Sequence, residues 1–191
     1  IDRDAETLWR HTVAGNPDGW LGRIQLAGIL ADDGRVDEAV LHARAAVAAS
    51  SGVPEPHNAL GSLLELAGRT ADAEAQFTAS LAIEPRNYEV LTNLAILLAD
   101  SGRPREALDR LANALRFRPD YAEAHFQAGL VLERIGARDA AVQALANALL
   151  LAPGNAAAHA ALCRVRVAAG RVADAEAHCR EALRLDPDLV E

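Results

Sequence analysis

Five glycines in this chain of 191 residues stand 34 residues apart: Gly34, Gly68, Gly102, Gly136 and Gly170. No insertion or deletion interrupts this spacing. A strict period of this length is typical of proteins that stack one small structural repeat, so that each repeat contacts mainly its neighbours. Length alone would allow one or two globular domains, but the period predicts a repeat architecture instead.

The sequence around each glycine predicts a pair of helices. Apolar residues on both sides of it recur at spacings of three and four, which is the pattern of a helix buried along one face. Glycine tolerates the positive φ that ends many helices, and acidic residues follow where the positive end of a second helix would lie. Prolines then mark the end of that second helix in four repeats: Pro85, Pro119, Pro153 and Pro187.

Two columns of small residues predict that the paired helices pack closely. A small residue stands seven positions before each glycine, and an alanine stands five positions after it. We expect the two columns to face each other, so that the helix backbones approach and a bulky replacement overpacks the contact. The first column is Ala27, Gly61, Ala95, Gly129 and Cys163, and the second is Ala39, Ala73, Ala107, Ala141 and Ala175.

Taken together, these columns resemble the tetratricopeptide repeat (TPR). The pattern is most complete in Leu60, Gly61, Leu64, Gly68, Ala73, Phe77, Ser80 and Pro85. The resemblance covers nearly the whole chain and implies an all-α fold, a right-handed α-α superhelix (TPR solenoid) of about eleven antiparallel helices. It divides one continuous solenoid domain into the second helix of a truncated repeat, residues 1–17, and five repeats: 20–53, 54–87, 88–121, 122–155 and 156–189. Because neither end carries a polar capping helix, we expect both ends to be truncated.

The composition argues against several classes of partner. The net charge is −8 at pH 7, whereas nucleic-acid binding depends on concentrated Lys and Arg. No apolar run reaches the roughly 20 residues that span a bilayer, so we expect contact with neither nucleic acid nor membrane. The sequence predicts a soluble domain and favours the cytoplasm over the periplasm, and its Ala- and Arg-rich composition favours a bacterial source.

The two cysteines, Cys163 and Cys179, both fall in the last repeat. Two cysteines in a chain of this length do not amount to a disulfide framework, so we expect two reduced residues in the core. A disulfide within the last helix pair is the alternative.

Three histidines share the fourth position of their repeats: His57, His125 and His159. The TPR family prefers a large ring there, so we expect half-buried side chains that pack between helices, while His42 and His178 on second helices should face solvent. A metal site would need further ligands at one point, and no nucleophile elbow, phosphate loop or HExxH motif is present. The sequence therefore predicts no metal site, no cofactor and no catalytic residue.

Partners of TPR proteins usually bind in the concave groove lined by the first helix of each repeat. The resemblance assigns these residues to that groove: Glu55, Asn58, Glu89, Thr92, Asn93, Ile96, Glu123, Phe126, Gln127, Leu130 and Arg134. Glutamates at the second position of three repeats form an acidic row, which would favour a partner that carries Lys or Arg.

The same groove positions predict an apolar patch and amide donors. Phe126 and Leu130 share one helix face, with Ile96 in the neighbouring repeat, and such a patch rimmed by polar groups is typical of peptide grooves. Asn93 and Gln127 could bond the backbone of an extended peptide. The alternative is that the three apolar side chains only pack between adjacent helices.

The sequence therefore predicts a protein-interaction scaffold that binds a peptide or a partner domain in the concave groove and is not itself an enzyme. Its uncapped ends would also allow self-association. The alternative is an accessory TPR domain of a larger enzyme, such as a membrane-bound glycosyltransferase-like protein, with catalysis outside this fragment. Residues 5–12 and the following Asn16-Pro17-Asp18 resemble the junction found in some proteins of that kind.

Overall fold

The computed structural model describes residues 3–188, which form eleven α-helices and no β-strand. The predicted all-α class and helix number are confirmed. The helices are α1 (Arg3–Gly15), α2 (Trp20–Asp32), α3 (Val36–Ala49), α4 (Pro54–Leu66), α5 (Thr70–Ile83), α6 (Tyr88–Asp100), α7 (Pro104–Phe117), α8 (Ala122–Arg134), α9 (Arg138–Leu151), α10 (Ala156–Ala168) and α11 (Val172–Leu185). The even-numbered helices are the first helices of the five repeats, and they begin 34 residues apart. The outer boundaries predicted at residues 1 and 189 lie outside the described residues.

The chain divides into two compact units, an N-terminal unit of residues 1–97 and a C-terminal unit of residues 98–191, with the division inside α6. In the N-terminal unit α1 packs against α2, α2 against α3, α3 against α4 and α4 against α5. In the C-terminal unit α7 packs against α8, α8 against α9, α9 against α10 and α10 against α11. Contacts between sequence neighbours are what a stacked-repeat chain requires.

The glycine of each repeat ends its first helix with a Schellman turn. In the first repeat Gly34 has φ +77°, and the Arg35 N–H donates to the Leu30 carbonyl at 2.8 Å. The N–H of Gly34 donates to the Ala31 carbonyl at 2.9 Å. The equivalent glycines of the other four repeats have φ between 71° and 80°. A side chain is strained at such φ values, which explains why glycine recurs at this position.

The two glycines of the small column lie against large side chains of their partner helices. A Cβ built on Gly129 would lie 2.6 Å from Cγ of Leu145, and one on Gly61 would lie 2.7 Å from Cε1 of Phe77. These partners stand nine positions after the turn glycine, not five. At both glycines the missing side chain therefore makes room for a large side chain of the partner helix, while the expected contact with the alanine column stays a prediction.

The last repeat joins its paired helices covalently. Cys163 on α10 and Cys179 on α11 form a disulfide, with their Cα atoms 5.2 Å apart. The expectation of two reduced cysteines is therefore wrong, and the alternative of a disulfide within the last helix pair is the one that the structure shows. The physical reason is the packing just described. Cys163 takes the place of the small residue, and Cys179 takes the place of the large side chain that lies against it.

Candidate functional site

All eleven predicted groove residues lie on first helices. The N-terminal unit contains Glu55 and Asn58 on α4 and Glu89, Thr92, Asn93 and Ile96 on α6. The C-terminal unit contains Glu123, Phe126, Gln127, Leu130 and Arg134 on α8.

Two amide side chains join neighbouring repeats in the N-terminal unit. Nδ2 of Asn93 donates to Oδ1 of Asn58 at 3.1 Å, and both residues are half-buried. A primary amide has two donor hydrogens and one acceptor oxygen. The bond therefore leaves the amide nitrogen of Asn58 and the amide oxygen of Asn93 for another partner.

Two exposed carboxylates lie near this amide pair in the sequence. Glu55 and Glu89 are both exposed, and each is in the first turn of its helix. The hydroxyl of Tyr88 donates to Oε1 of Glu89 at 3.3 Å. A carboxylate in the first turn also stabilises the positive end of the helix dipole, so these glutamates have a local structural role as well as the predicted binding role.

Thr92 and Ile96 differ in how much surface they present. Thr92 is 1% exposed, and its hydroxyl donates to the Tyr88 carbonyl at 2.9 Å. It therefore belongs to the interior of the described fold rather than to an accessible surface. Ile96 is half-buried.

The two apolar candidates of the C-terminal unit pack against the core on one side and remain partly exposed to solvent. Phe126 and Leu130 are half-buried and pack against a buried cluster contributed by α9 and α10. The cluster consists of Ala141, Leu145, Leu149, Ala158, Ala161, Leu162 and Val165. Packing between helices, which was the alternative interpretation, thus accounts for one side of each residue, and the exposed remainder is what a ligand could contact.

The polar candidates of the C-terminal unit bond to each other or to neighbouring repeats. Gln127 donates from Nε2 to Glu123 at 2.7 Å within α8. Arg134 on α8 donates to Asp100 on α6 at 3.1 Å. These side chains are therefore already paired, and a ligand would compete for them.

A second inter-repeat ion pair was missed by the sequence analysis. Arg164 on α10 donates from Nε and from its terminal nitrogen to the two carboxylate oxygens of Glu133 on α8, each at 2.6 Å. The hydrogen bonds that Arg164 donates to Glu133 raise the pKa of its guanidinium above its ordinary value. The sequence contains a sign of this pair, because the two opposite charges are 31 positions apart, which is close to the length of one repeat.

The histidines at the fourth position are half-buried, as predicted. His125 donates from Nε2 to the Pro119 carbonyl at 2.9 Å, and His159 makes the same contact with the Pro153 carbonyl at 3.1 Å. His57 instead contacts Oε1 of Gln76 through Nδ1 at 2.8 Å. All three rings therefore form hydrogen bonds with groups in their own repeat or at the end of the preceding one.

The prediction that His42 and His178 face solvent is wrong, because both are half-buried. Burial lowers the pKa of each imidazole below its usual 6.5. A second cause is positive charge, from Arg23 near His42 and from Arg166 near His178.

His178 pairs with the histidine of the neighbouring helix. Its Nδ1 lies 3.0 Å from Nδ1 of His159. Because the Pro153 carbonyl takes the Nε2 hydrogen of His159, Nδ1 of His159 is the acceptor and His178 donates.

The described residues contain neither a cluster of metal ligands nor a membrane-spanning helix. No group of three or more His, Cys, Asp or Glu side chains within residues 3–188 is placed to hold a metal ion. Over the same part of the chain, no helix is both long and apolar enough to cross a membrane. The absence of a cofactor remains a prediction.

The turn geometry, the helix pairs and the inter-repeat bonds together define an α-helical repeat protein built from 34-residue helix pairs. The chain belongs to the tetratricopeptide repeat family: family models described as tetratricopeptide repeat match residues 3–54, 64–130 and 136–190. A comparison with curated proteins gave no match.

Solved structures share the fold, two of them structures of TPR proteins. A thermophilic TPR protein of Thermus thermophilus is 26% identical with a TM-score of 0.75, over 90% of this chain and 93% of that one. YrrB, a TPR protein with an unusual peptide-binding site, is 20% identical with a TM-score of 0.67, over 95% and 93%. A chain of the APC/C hetero-tetramer Cut9–Hcn1 is 22% identical with a TM-score of 0.87, over 98% of this chain but 37% of that one.

The predicted TPR solenoid class is thereby confirmed. The family and the fold indicate a protein-interaction scaffold in the general sense, of a kind that is in general non-catalytic. They lend no support to the alternative of an accessory domain of an enzyme.

Proposed function

We propose that this chain is a non-catalytic scaffold that binds an extended peptide, or such a segment of a partner domain, on its first helices. The groove of the TPR family is the place that the sequence assigns to this contact. YrrB, a protein of similar fold, has a peptide-binding site, which supports the same use of the fold in this chain.

The amide pair of Asn58 and Asn93 carries the proposal. Their mutual bond fixes both side chains and leaves N–H donors on both amide nitrogens and the amide oxygen of Asn93 for a ligand. A peptide unit offers one carbonyl acceptor and one N–H donor. The pair is therefore able to bond both groups of an extended backbone without regard to the peptide's side chains.

Charge and apolar surface would supply the preference for particular side chains. The exposed carboxylates of Glu55 and Glu89 favour a peptide that carries Lys or Arg. The exposed remainders of Phe126 and Leu130 offer contact area for an apolar side chain. The overall charge of −8 acts in the same direction as the carboxylates.

The test is selection of peptides from a random display library, followed by affinity measurement with the purified chain. We expect the selected peptides to be enriched in Lys and Arg. Replacing both Asn58 and Asn93 by Ala should weaken binding by about 30-fold or more, which corresponds to the roughly 2 kcal/mol of a hot spot. Replacing Glu55 and Glu89 by Gln should weaken binding and also reduce its dependence on salt.

Matched controls lie on second helices. Asp37→Asn removes an exposed acid of α3, and Leu150→Ala removes a leucine of α9 that is 79% exposed. Neither should change the affinity. Peptides that bind the Asn58/Asn93 double variant as tightly as the native chain would rule out the amide pair as the binding group.

A further inference from the structure

Four side chains of metal-ligand type form two contacting pairs between α10 and α11. His159 and Cys163 lie one turn apart on α10, and His178 and Cys179 are adjacent on α11. The disulfide joins Cys163 to Cys179, and the two imidazoles face each other with ring centroids 5.2 Å apart. Two histidines and two cysteines are a common ligand set for a structural zinc ion.

The distance between the two imidazole nitrogens is close to the one that two ligands of a metal ion adopt. Nδ1 of His159 and Nδ1 of His178 are 3.0 Å apart. Two nitrogen ligands of a tetrahedral zinc ion, each at about 2.0–2.1 Å from it, lie roughly 3.3 Å from each other. Binding of a zinc ion in place of the shared hydrogen therefore needs the nitrogens to separate by a few tenths of an ångström and both rings to tilt towards the ion.

The orientation of His159 is fixed by its second ring nitrogen. Nε2 donates to the Pro153 carbonyl at 3.1 Å, so Nδ1 presents its lone pair towards His178. A backbone carbonyl on the far nitrogen is the usual second-shell support of a metal-bound histidine. His125 makes the same bond to Pro119 in the preceding repeat, and thus provides a matched control.

The rest of the cluster is absent from that preceding repeat. The places of Cys163, His178 and Cys179 are taken there by Gly129, Ala144 and Leu145. The distinguishing feature of the last repeat is therefore the addition of three donors around a histidine that both repeats share.

The sulfur atoms belong to residues that are more accessible than their counterparts. Cys163 and Cys179 are half-buried. The residues at the same two positions of the other four repeats are buried: Ala27, Ala43, Gly61, Phe77, Ala95, Leu111, Gly129 and Leu145. A reductant therefore has partial access to this disulfide.

We propose that reduction of the Cys163–Cys179 disulfide converts this cluster into a Zn²⁺ site held by both thiolates and by Nδ1 of His159 and His178. In the disulfide form the sulfurs bond to each other, and no three-ligand group is formed among the described residues. Cleavage of the S–S bond by a dithiol transfers two electrons and two protons to the cysteines and leaves the dithiol as a disulfide. Zn²⁺ then displaces the two thiol protons, and the sulfurs separate to about 3.8 Å around the ion.

The test uses the full chain, reduced by a trialkylphosphine in oxygen-free buffer and titrated with Zn²⁺ against a chromophoric chelator. The phosphine becomes a phosphine oxide, and water supplies its oxygen and the two thiol protons. We expect one Zn²⁺ per reduced chain and none on the disulfide form. Co²⁺ in place of Zn²⁺ should show the visible bands of a tetrahedral ion and a thiolate-to-cobalt charge-transfer band.

Variants separate this site from adventitious binding. His178→Ala and His159→Ala should each weaken Zn²⁺ binding by at least about 100-fold, the upper end for loss of a second-shell partner, while His125→Ala should leave it unchanged. The double variant Cys163→Ala, Cys179→Leu copies Ala95 and Leu111 of the third repeat. It should remain folded and bind no Zn²⁺.

Three outcomes would overturn the proposal. The first is a reduced, fully helical chain that binds no Zn²⁺. The second is unchanged affinity in both histidine variants, because the ion would then be held elsewhere. The third is a loss of helicity on reduction that Zn²⁺ does not restore, as judged by circular dichroism.

Discussion

Gly129 is a residue whose missing side chain decides how two helices pack. A Cβ at this position would lie 2.6 Å from Cγ and 2.7 Å from Cδ2 of Leu145, which is fully buried. Gly129→Ala must therefore displace Leu145 or separate the helices, and we expect a loss of about 1–3 kcal/mol in the free energy of unfolding. Urea denaturation followed by circular dichroism measures the change.

Gly154→Ala is the control for this substitution. No atom lies within 4 Å of a Cβ at Gly154, and its φ is not positive. This variant should be neutral or slightly stabilising because alanine lowers the entropy of the unfolded chain. A Gly129→Ala variant as stable as Gly154→Ala would contradict the packing described for α8 and α9.

At this scale the sequence predicted which positions are small but not what they touch. The 34-residue period places Gly129 and Leu145 in separate columns, and the columns alone do not say which two meet across a helix pair. Cys163 and Cys179 occupy the same two columns. The disulfide could therefore have been predicted once it was known that these columns contact each other. The burial of His178 could not, because it depends on the surrounding helices and not on its own repeat position.

Among the elements, α1 is attached through a ring of charges. Glu6 and Arg10 on α1 meet Arg35 and Glu38, at the start of α3: Arg10 contacts Glu6 at 2.8 Å and Glu38 at 2.7 Å, and Arg35 contacts Glu6 at 2.7 Å. Arg35 also pairs with Glu38. Each charged group thus has two opposite charges as partners, which makes a network rather than an isolated surface pair.

We expect Glu6→Gln to loosen α1 while α2–α5 stay protected, because Glu6 is the acid that α1 contributes to the ring. Hydrogen exchange of the α1 amides, compared with those of α4, measures this change. Glu176→Gln is the control, since Glu176 pairs within α11 with Arg180 at 2.5 Å. Equal exchange in α1 of the native and Glu6→Gln chains would show that the ring does not hold the helix.

The same ring predicts a pH dependence. Hydrogen bonds from Arg35 and Arg10 lower the pKa of Glu6, and those from Arg10 and Arg35 lower the pKa of Glu38, both below the usual 4.5. A carboxyl whose pKa is lowered by folding stabilises the folded state above its unfolded pKa and loses this effect as pH falls through its folded pKa. Protection of the α1 amides, relative to their intrinsic exchange rates at each pH, should therefore fall as the pH falls below about 4.5, and it should fall less in Glu6→Gln.

For the whole molecule, the expectation is that disturbances remain local. Gly61 and Gly129 lie in different compact units and contact different side chains, Phe77 and Leu145. In a chain whose repeats contact mainly their neighbours, Gly61→Ala should raise hydrogen exchange in α4 and α5, and Gly129→Ala in α8 and α9. If the chain unfolds in one transition, the double variant should lose the sum of the two single losses within about 0.5 kcal/mol. Strong non-additivity would show that the two sites are coupled.

The period predicted the fold at this scale because every repeat contributes the same evidence for helix, turn and packing. It could not predict the groove equally well, since groove positions are where the repeats differ. Thr92 is interior, and Gln127 and Arg134 are already paired. These properties depend on neighbouring side chains, which the residues at one repeat position do not reveal.

The bond between Asp100 and Arg134 joins residues that hold the same place in consecutive repeats, 34 positions apart. A perfectly regular chain would place two identical charges at this contact, and they would repel. The exposed pair adds little stability, but it can form only where an acidic copy is followed by a basic one. This departure from the period therefore makes the contact specific, because the third repeat pairs with the fourth here and would repel a copy of itself.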